Sequence, residues 1–95
     1  MSQEIFKFRL YVAGDTHNSL QALTNLTHFC RTYLAERYEI EVVDVFIDPY
    51  KSLEDSIFMT PTLIKLSPSP ILKIVGTLSQ TQVLQQVLAL EVLTL

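Results

Sequence analysis

Apolar and polar residues alternate from the start of the chain. In IFKFRLYVAG, Phe6, Phe8 and Leu10 stand against Lys7 and Arg9 before the run becomes wholly apolar. That pattern predicts a strand that begins near an edge and ends in a core, closed by Gly14. From Ser19 onward Leu20, Leu23, Leu26, Cys30, Tyr33 and Leu34 recur at spacings of three and four. The spacing predicts one helix, running to about Ala35 with its leucines in the core, and the preceding DTHNSL offers several capping residues. YEIEVVDVFI alternates and then turns continuously apolar and β-branched, which predicts a second strand buried on both faces. Pro49 then starts a short second helix, with Leu53, Ile57 and Phe58 expected to face inward. Thr62 to Leu66 and Ile71 to Val75 read as a hairpin around SPSP, ended by Gly76. Beyond it, Ser79 is placed to cap a last helix on which Val83, Leu84, Val87, Leu88 and Glu91 keep helical spacing. The same VLALEVLTL is β-branched and apolar enough to suit a strand.

Three prolines surround the hairpin: Pro61 at its mouth, Pro68 and Pro70 in its link. Proline has no N–H to give a sheet and fixes its own φ, so such a cluster serves geometry. The order β-α-β-α-β-β-α begins with a right-handed parallel βαβ unit and ends in an antiparallel hairpin, the thioredoxin topology of the α/β class. In that fold a proline just before the third strand is characteristically cis, which predicts a cis Thr60–Pro61 bond. An X–Pro bond is held cis for only about 0.5–1 kcal/mol, against about 2.5–4 for other residues.

The chain's 95 residues support one modest core, so residues 1–95 are expected to form a single domain. Apolar residues make up 48% and charged residues 18%, below the roughly 25% charged of an average soluble domain, so the surface must carry extra apolar area. That favours self-association or a protein partner. The net charge is −3 and the seven basic residues, Lys7, Arg9, Arg31, Arg37, Lys51, Lys65 and Lys73, are scattered. No basic stripe follows a phosphate backbone, which argues against nucleic acid. With one cysteine, no signal peptide and no apolar run of about 18 residues, the expected setting is a reducing cytoplasm, without a membrane span.

Redox thioredoxins act through a Cys-x-x-Cys pair at the N-terminus of the first helix, where the helix dipole lowers a thiol pKa. GDTHNSL stands there instead, and Cys30 lies on the apolar stripe, the place of a structural thiol. His17 falls in that loop and His28 on the helix, neither with partners at metal-ligand spacing, so no metal or cofactor is expected. Asp15, Asp44, Asp48, Glu54 and Asp55 have no recognisable catalytic partner and suit caps or a solvated face. The residues therefore point to a protein that is not an enzyme.

The blocks RLYVAGDTHNSLQAL, VVDVFIDP, TPTLIK and KIVGTLS resemble the KaiB family over about residues 5 to 90. The resemblance implies a protein of the circadian oscillator that works by binding. It would dock on the N-terminal ATPase ring of a hexameric KaiC, displace the KaiB-like sensor domain of a histidine kinase, and help hold KaiA from its activating site. It also implies two folds: a resting homotetramer with a rewired C-terminal half, and a monomeric thioredoxin-like state that KaiC captures. An ambiguous C-terminal segment and a proline cluster suit such a pair, since each element must be acceptable twice and isomerisation slows the exchange.

Carried onto this sequence, the family's Thr-Pro-Thr matches Thr60, Pro61 and Thr62. Its triple-proline turn matches Pro68, Ser69 and Pro70, with the middle proline lost. A basic residue of the third strand matches Lys65. A basic pair of the fourth matches Leu72 and Lys73, so one charge survives. Where typical members have a lysine in the second strand this chain has Glu41, with Glu39 two residues earlier. The resemblance thus marks Lys65, Lys73, Glu39 and Glu41 as partner-binding. An anion for a cation repels as well as failing to attract, which implies a paralogue with a different KaiC-type ATPase or a weaker grip on the standard one. In the last helix Val87 and Ala89 replace a glycine and an aspartate. A helical glycine costs roughly 1 kcal/mol relative to alanine, so the change favours the thioredoxin-like form. Pro61, Pro68, Pro70, Val87 and Ala89 are the expected fold-switch positions, and Val92, Leu93 and Leu95 are left to find a partner surface. A second use of the same domain is an adaptor or stand-alone sensor in stress or metabolic signalling.

Overall fold

A computed structural model describes residues 4–88 of the chain. Strand β1 (Phe6–Val12) is followed by helix α1 (His17–Tyr33), strand β2 (Tyr38–Asp44), helix α2 (Pro49–Glu54), strands β3 (Thr62–Ser67) and β4 (Leu72–Val75), and helix α3 (Thr81–Val87). The four strands form one sheet in the order β2-β1-β3-β4. β1 and β2 are parallel, with Leu10 beside Val42. β3 runs antiparallel to both its neighbours. This is the expected β-α-β-α-β-β-α order. Ala89, Glu91, Val92, Leu93 and Leu95 lie outside the described residues.

The alternation in β1 divides the molecule. Phe6, Phe8, Leu10 and Val12 join Leu63, the α1 residues Ala22, Leu26, Phe29, Cys30 and Leu34, and Leu84 and Leu88 in one core on one face of the sheet. Tyr11, Val43 and Ile64 form a smaller cluster on the other face, with Val45, Ile57 and Leu66 packed against it. At 20–33 cal/mol per Å2 of apolar area removed from water, the larger cluster is the chief source of stability.

Five expectations are corrected. β2 is not buried on both faces: it forms a sheet edge, only Val43 is buried, and Val42, Phe46 and Ile47 are exposed. The helix layer packs on β1 and β3 and reaches only Tyr38 and Ile40 of β2. Leu20 is exposed although the spacing grouped it with the buried Leu26, because the buried face of α1 runs through Ser19, Ala22, Leu26, Phe29 and Cys30, and Leu20 lies about 100° round the helix from Ser19. Leu53 and Phe58 point to solvent and only Ile57 packs inward; the buried residue of α2 itself is Ser52, and Ile57 lies beyond the helix's last residue, Glu54. The last helix has Gln80 at its N-cap, with no side-chain cap bond, so Ser79 does not cap it. Helix α1 also starts two residues before the expected Ser19.

The prolines behave as the hairpin requires. Thr60–Pro61 is cis, and so are Ser67–Pro68 and Ser69–Pro70. Pro61 is buried, and its carbonyl accepts the Gly76 N–H at 2.9 Å, which ties the entry of β3 to the exit of β4. Gly76 has φ +120° and Gly14 φ +58°, both in the region that favours glycine.

Candidate functional site

Three groups of residues compete for a functional reading: the N-terminus of α1, the sheet face beneath α2, and the expected partner-binding residues.

At the α1 N-terminus hydroxyls stand where redox thioredoxins carry thiols. The Thr16 Oγ1 accepts the Ser19 N–H at 3.4 Å, and Thr16 and Ser19 hydroxyls bond at 2.8 Å. The Ser19 Oγ also accepts the Ala13 N–H at 3.1 Å. These bonds satisfy donors of the first turn and the strand exit, the task of an N-cap. Cys30, the only cysteine, is fully buried about three turns further along the same face of the helix, and burial pushes its thiol up to about 12. A thiol so protonated is a poor nucleophile. His17 opens α1 at an exposed position.

Beneath α2 the sheet carries an ion-pair cluster that the sequence did not announce. β1 and β2 place Arg9 beside Glu41, and the Arg9 Nε reaches Glu41 Oε1 at 2.8 Å. Its Nη1 reaches Asp55 Oδ2 at 3.0 Å, and the Lys51 Nζ reaches Glu41 Oε2 at 2.8 Å. The Tyr11 hydroxyl donates to the Asp55 carboxylate and also lies 3.1 Å from the Lys51 carbonyl. The Lys73 ammonium donates to the Asp55 carbonyl. Hydrogen bonds from Lys51 and Arg9 hold Glu41 below the ordinary carboxylate range. For Asp55, burial works to raise the pKa, but hydrogen bonds from Tyr11 and Arg9 outweigh it and the net shift is down. Burial and then Asp55 raise the Tyr11 phenol, so it stays a donor. The cluster fastens α2 and the start of β4 to the first two strands.

The four expected partner-binding residues divide. Glu39, Glu41 and Lys73 lie on the α2 face of the sheet: Glu39 sits beside Lys7, Glu41 beside Arg9, and Lys73 opposite Ile64. All three are exposed. Lys65 projects to the other face, opposite Phe8 and Leu72, and is 1% exposed. It therefore does not share an accessible surface with the rest. Pro61 is buried at the base of the hairpin while Pro68 and Pro70 lie in its tip, and Val87 ends α3. The missed residues are Arg9, Tyr11, Lys51 and Asp55. The available signal was Tyr11, a phenol in an otherwise apolar run, and charges of opposite sign in neighbouring strands.

The sheet order, the cis proline before β3 and the absence of a thiol pair from the first helix define a thioredoxin-like α/β protein without the dithiol. A family model described as the KaiB domain matches residues 9–90. The chain belongs to the KaiB family. It is 39% identical to the circadian clock protein KaiB3 of Synechocystis sp. over 78% of this chain and 72% of that protein. It is 41% identical to the circadian clock oscillator protein KaiB of Acaryochloris marina over 84% of this chain and 77% of that protein. The fold is similar to the N-terminal domain of Synechococcus elongatus SasA, with a TM-score of 0.78 and 17% identity over 97% of this chain and 88% of that one. Mitochondrial thioredoxin 3 of Saccharomyces cerevisiae gives 0.70 and 17% identity over 92% and 79%. No helix among the described residues is long and apolar enough to cross a membrane.

Proposed function

We propose that the chain is a non-enzymatic, fold-switching clock regulator of the cytoplasm. It binds the N-terminal ATPase ring of a KaiC-type hexamer, competes there with a KaiB-like kinase sensor domain, and helps sequester a KaiA-type activator. One observation carries the reading: a chain of the KaiB family takes a fold with a TM-score of 0.78 to the SasA N-terminal domain. Two proteins that present the same backbone shape can occupy one receptor surface in turn, and competition follows from shared shape and not from shared sequence.

Glu39, Glu41 and Lys73 are the contact residues of this reading. Glu41 meets a partner as a carboxylate already held by two cations, so its repulsion of an incoming anion is blunted. Lys65 acts through the fold, since its burial keeps it from a docking face. Pro61, Pro68, Pro70, Val87 and Ala89 set the balance with the resting tetramer.

The test is displacement. A fluorescent SasA N-terminal domain is bound to a KaiC-type hexamer with ATP, and the chain is added in excess. The reading expects the anisotropy to fall as label is released; unchanged anisotropy after overnight incubation, with the chain absent from the hexamer, contradicts it. The SasA likeness also favours a second reading, a stand-alone sensor module. Such a module has no need of a second fold, so a slow exchange between oligomer and monomer separates the two.

A further inference from the structure

The outward side of α2 is used neither by the core nor by the ion-pair cluster. The Asp44 carbonyl accepts the N–H groups of Ile47 at 3.0 Å and Asp48 at 2.9 Å, so a helical turn leads directly into α2. Phe46, Ile47, Tyr50 and Leu53 follow one another along these two turns, and are 74%, 82%, 79% and 67% exposed. The inward side is already settled by the buried Ser52, by Ile57, and by Lys51 and Asp55 in their ion pairs. An aromatic side chain carries about 150–250 Å2, so the four together present on the order of 600 Å2. That is the upper end of the largest apolar patches on monomers, roughly 300–600 Å2 and often functional.

The charge around this patch is predominantly negative. Between Asp44 and Asp55 stand four carboxylates, Asp44, Asp48, Glu54 and Asp55, and one cation, Lys51. The balance is 1 − 4 = −3, as large as the net charge of the whole chain, −3. Lys51 and Asp55 are spent on Glu41 and Arg9. Asp44, Asp48 and Glu54 make no salt bridge among the described residues. Asp44 accepts the Phe46 N–H at 2.9 Å and Asp48 the Lys51 N–H at 3.2 Å, each through Oδ1, which leaves Oδ2 of each available.

We propose that this face docks a cationic amphipathic segment of a protein partner, its apolar side chains on Phe46, Ile47, Tyr50 and Leu53 and its lysines or arginines on Asp44, Asp48 and Glu54. The inference does not rest on the KaiC reading. A second copy of the chain is disfavoured because a two-fold contact sets this acidic face against another copy of the same acidic face. An anionic membrane surface is repelled by the same carboxylates.

The experiment titrates the full 15N-labelled chain with a synthetic helical peptide of leucine and lysine, and with its isostere in which glutamate replaces lysine. Saturable binding of the first is expected, with amide shifts concentrated between residues 44 and 55. Tyr50→Ser with Leu53→Ser should weaken it about tenfold or more, and Asp48→Asn with Glu54→Gln about fivefold, with unchanged circular dichroism because all four side chains point outward and Asn still caps a helix. Shifts spread over other elements, equal affinity for the glutamate peptide, or variants that bind like the wild type would overturn the inference. So would sedimentation of the chain with vesicles of phosphatidylcholine and phosphatidylglycerol, or a concentration-dependent dimer that Leu53→Ser abolishes.

Discussion

Tyr11 and Asp55, 44 residues apart in the chain, meet beneath α2, where the phenol donates to the carboxylate. The ring belongs to the second apolar cluster and the hydroxyl emerges at its margin, so one residue both packs the sheet face and anchors the helix. Removing the hydroxyl leaves the Asp55 carboxylate with Arg9 alone. A hydrogen bond to a charged group contributes about 1.5–3 kcal/mol. Tyr11→Phe is therefore expected to lower stability by about that amount in urea unfolding, with an unchanged slope.

The same cluster sets a pH dependence. Asp55 and Glu41 are both held below their ordinary range. A carboxylate with a depressed folded pKa contributes stability above its unfolded value, about 3.9–4.3, and loses it as pH falls through the folded value. Unfolding free energy should be level from neutral pH down to about pH 5 and decline below about pH 4. Asp55→Asn with Glu41→Gln should flatten the acid limb. Glu41 is largely exposed, so Asp55 should account for most of the change.

Legibility in the sequence followed burial. β1, α1 and the hairpin were readable because each has one strongly apolar face, and Phe8, Leu10, Leu26 and Cys30 fall in the core where period and spacing put them. β2 was misread because β-branched residues show strand character without showing which side a helix covers, and the edge position is a property of the whole sheet. The site was less legible still. Glu41 looked like a free carboxylate because its partners, Arg9 and Lys51, lie on other elements, 32 and 10 residues away. Lys65 was marked as partner-binding by the family resemblance, yet its register opposite Phe8 turns it to the side of the larger core.

Cys30 gives a direct check on the proposed lack of redox chemistry. Its thiol, buried and raised to about 12, should react with a disulfide reagent only as the chain unfolds, and readily in urea. Wild type and Cys30→Ser should be equally inactive in insulin reduction. Cys30→Ser places a hydroxyl in an apolar site, which should cost about 1–3 kcal/mol of stability.

Val87 and Ala89 are the proposed switch positions at the C-terminal end of the sequence. Returning the family residues as Val87→Gly with Ala89→Asp removes helix propensity, by roughly 0.5 kcal/mol for the glycine alone. The tetramer fraction should rise by about twofold or more in dilute solution at equilibrium, read by light scattering. An unchanged or smaller tetramer fraction would remove these positions from the switch.

The proposed docking of this dithiol-free fold on a KaiC-type ring is tested most directly by size-exclusion chromatography with light scattering, run with and without the hexamer and ATP. The account predicts a small species when the chain is alone and slow co-elution with the ring when ATP is present, abolished by excess SasA N-terminal domain. A chain that elutes unchanged beside every KaiC-type hexamer tried, at any incubation time, would contradict it.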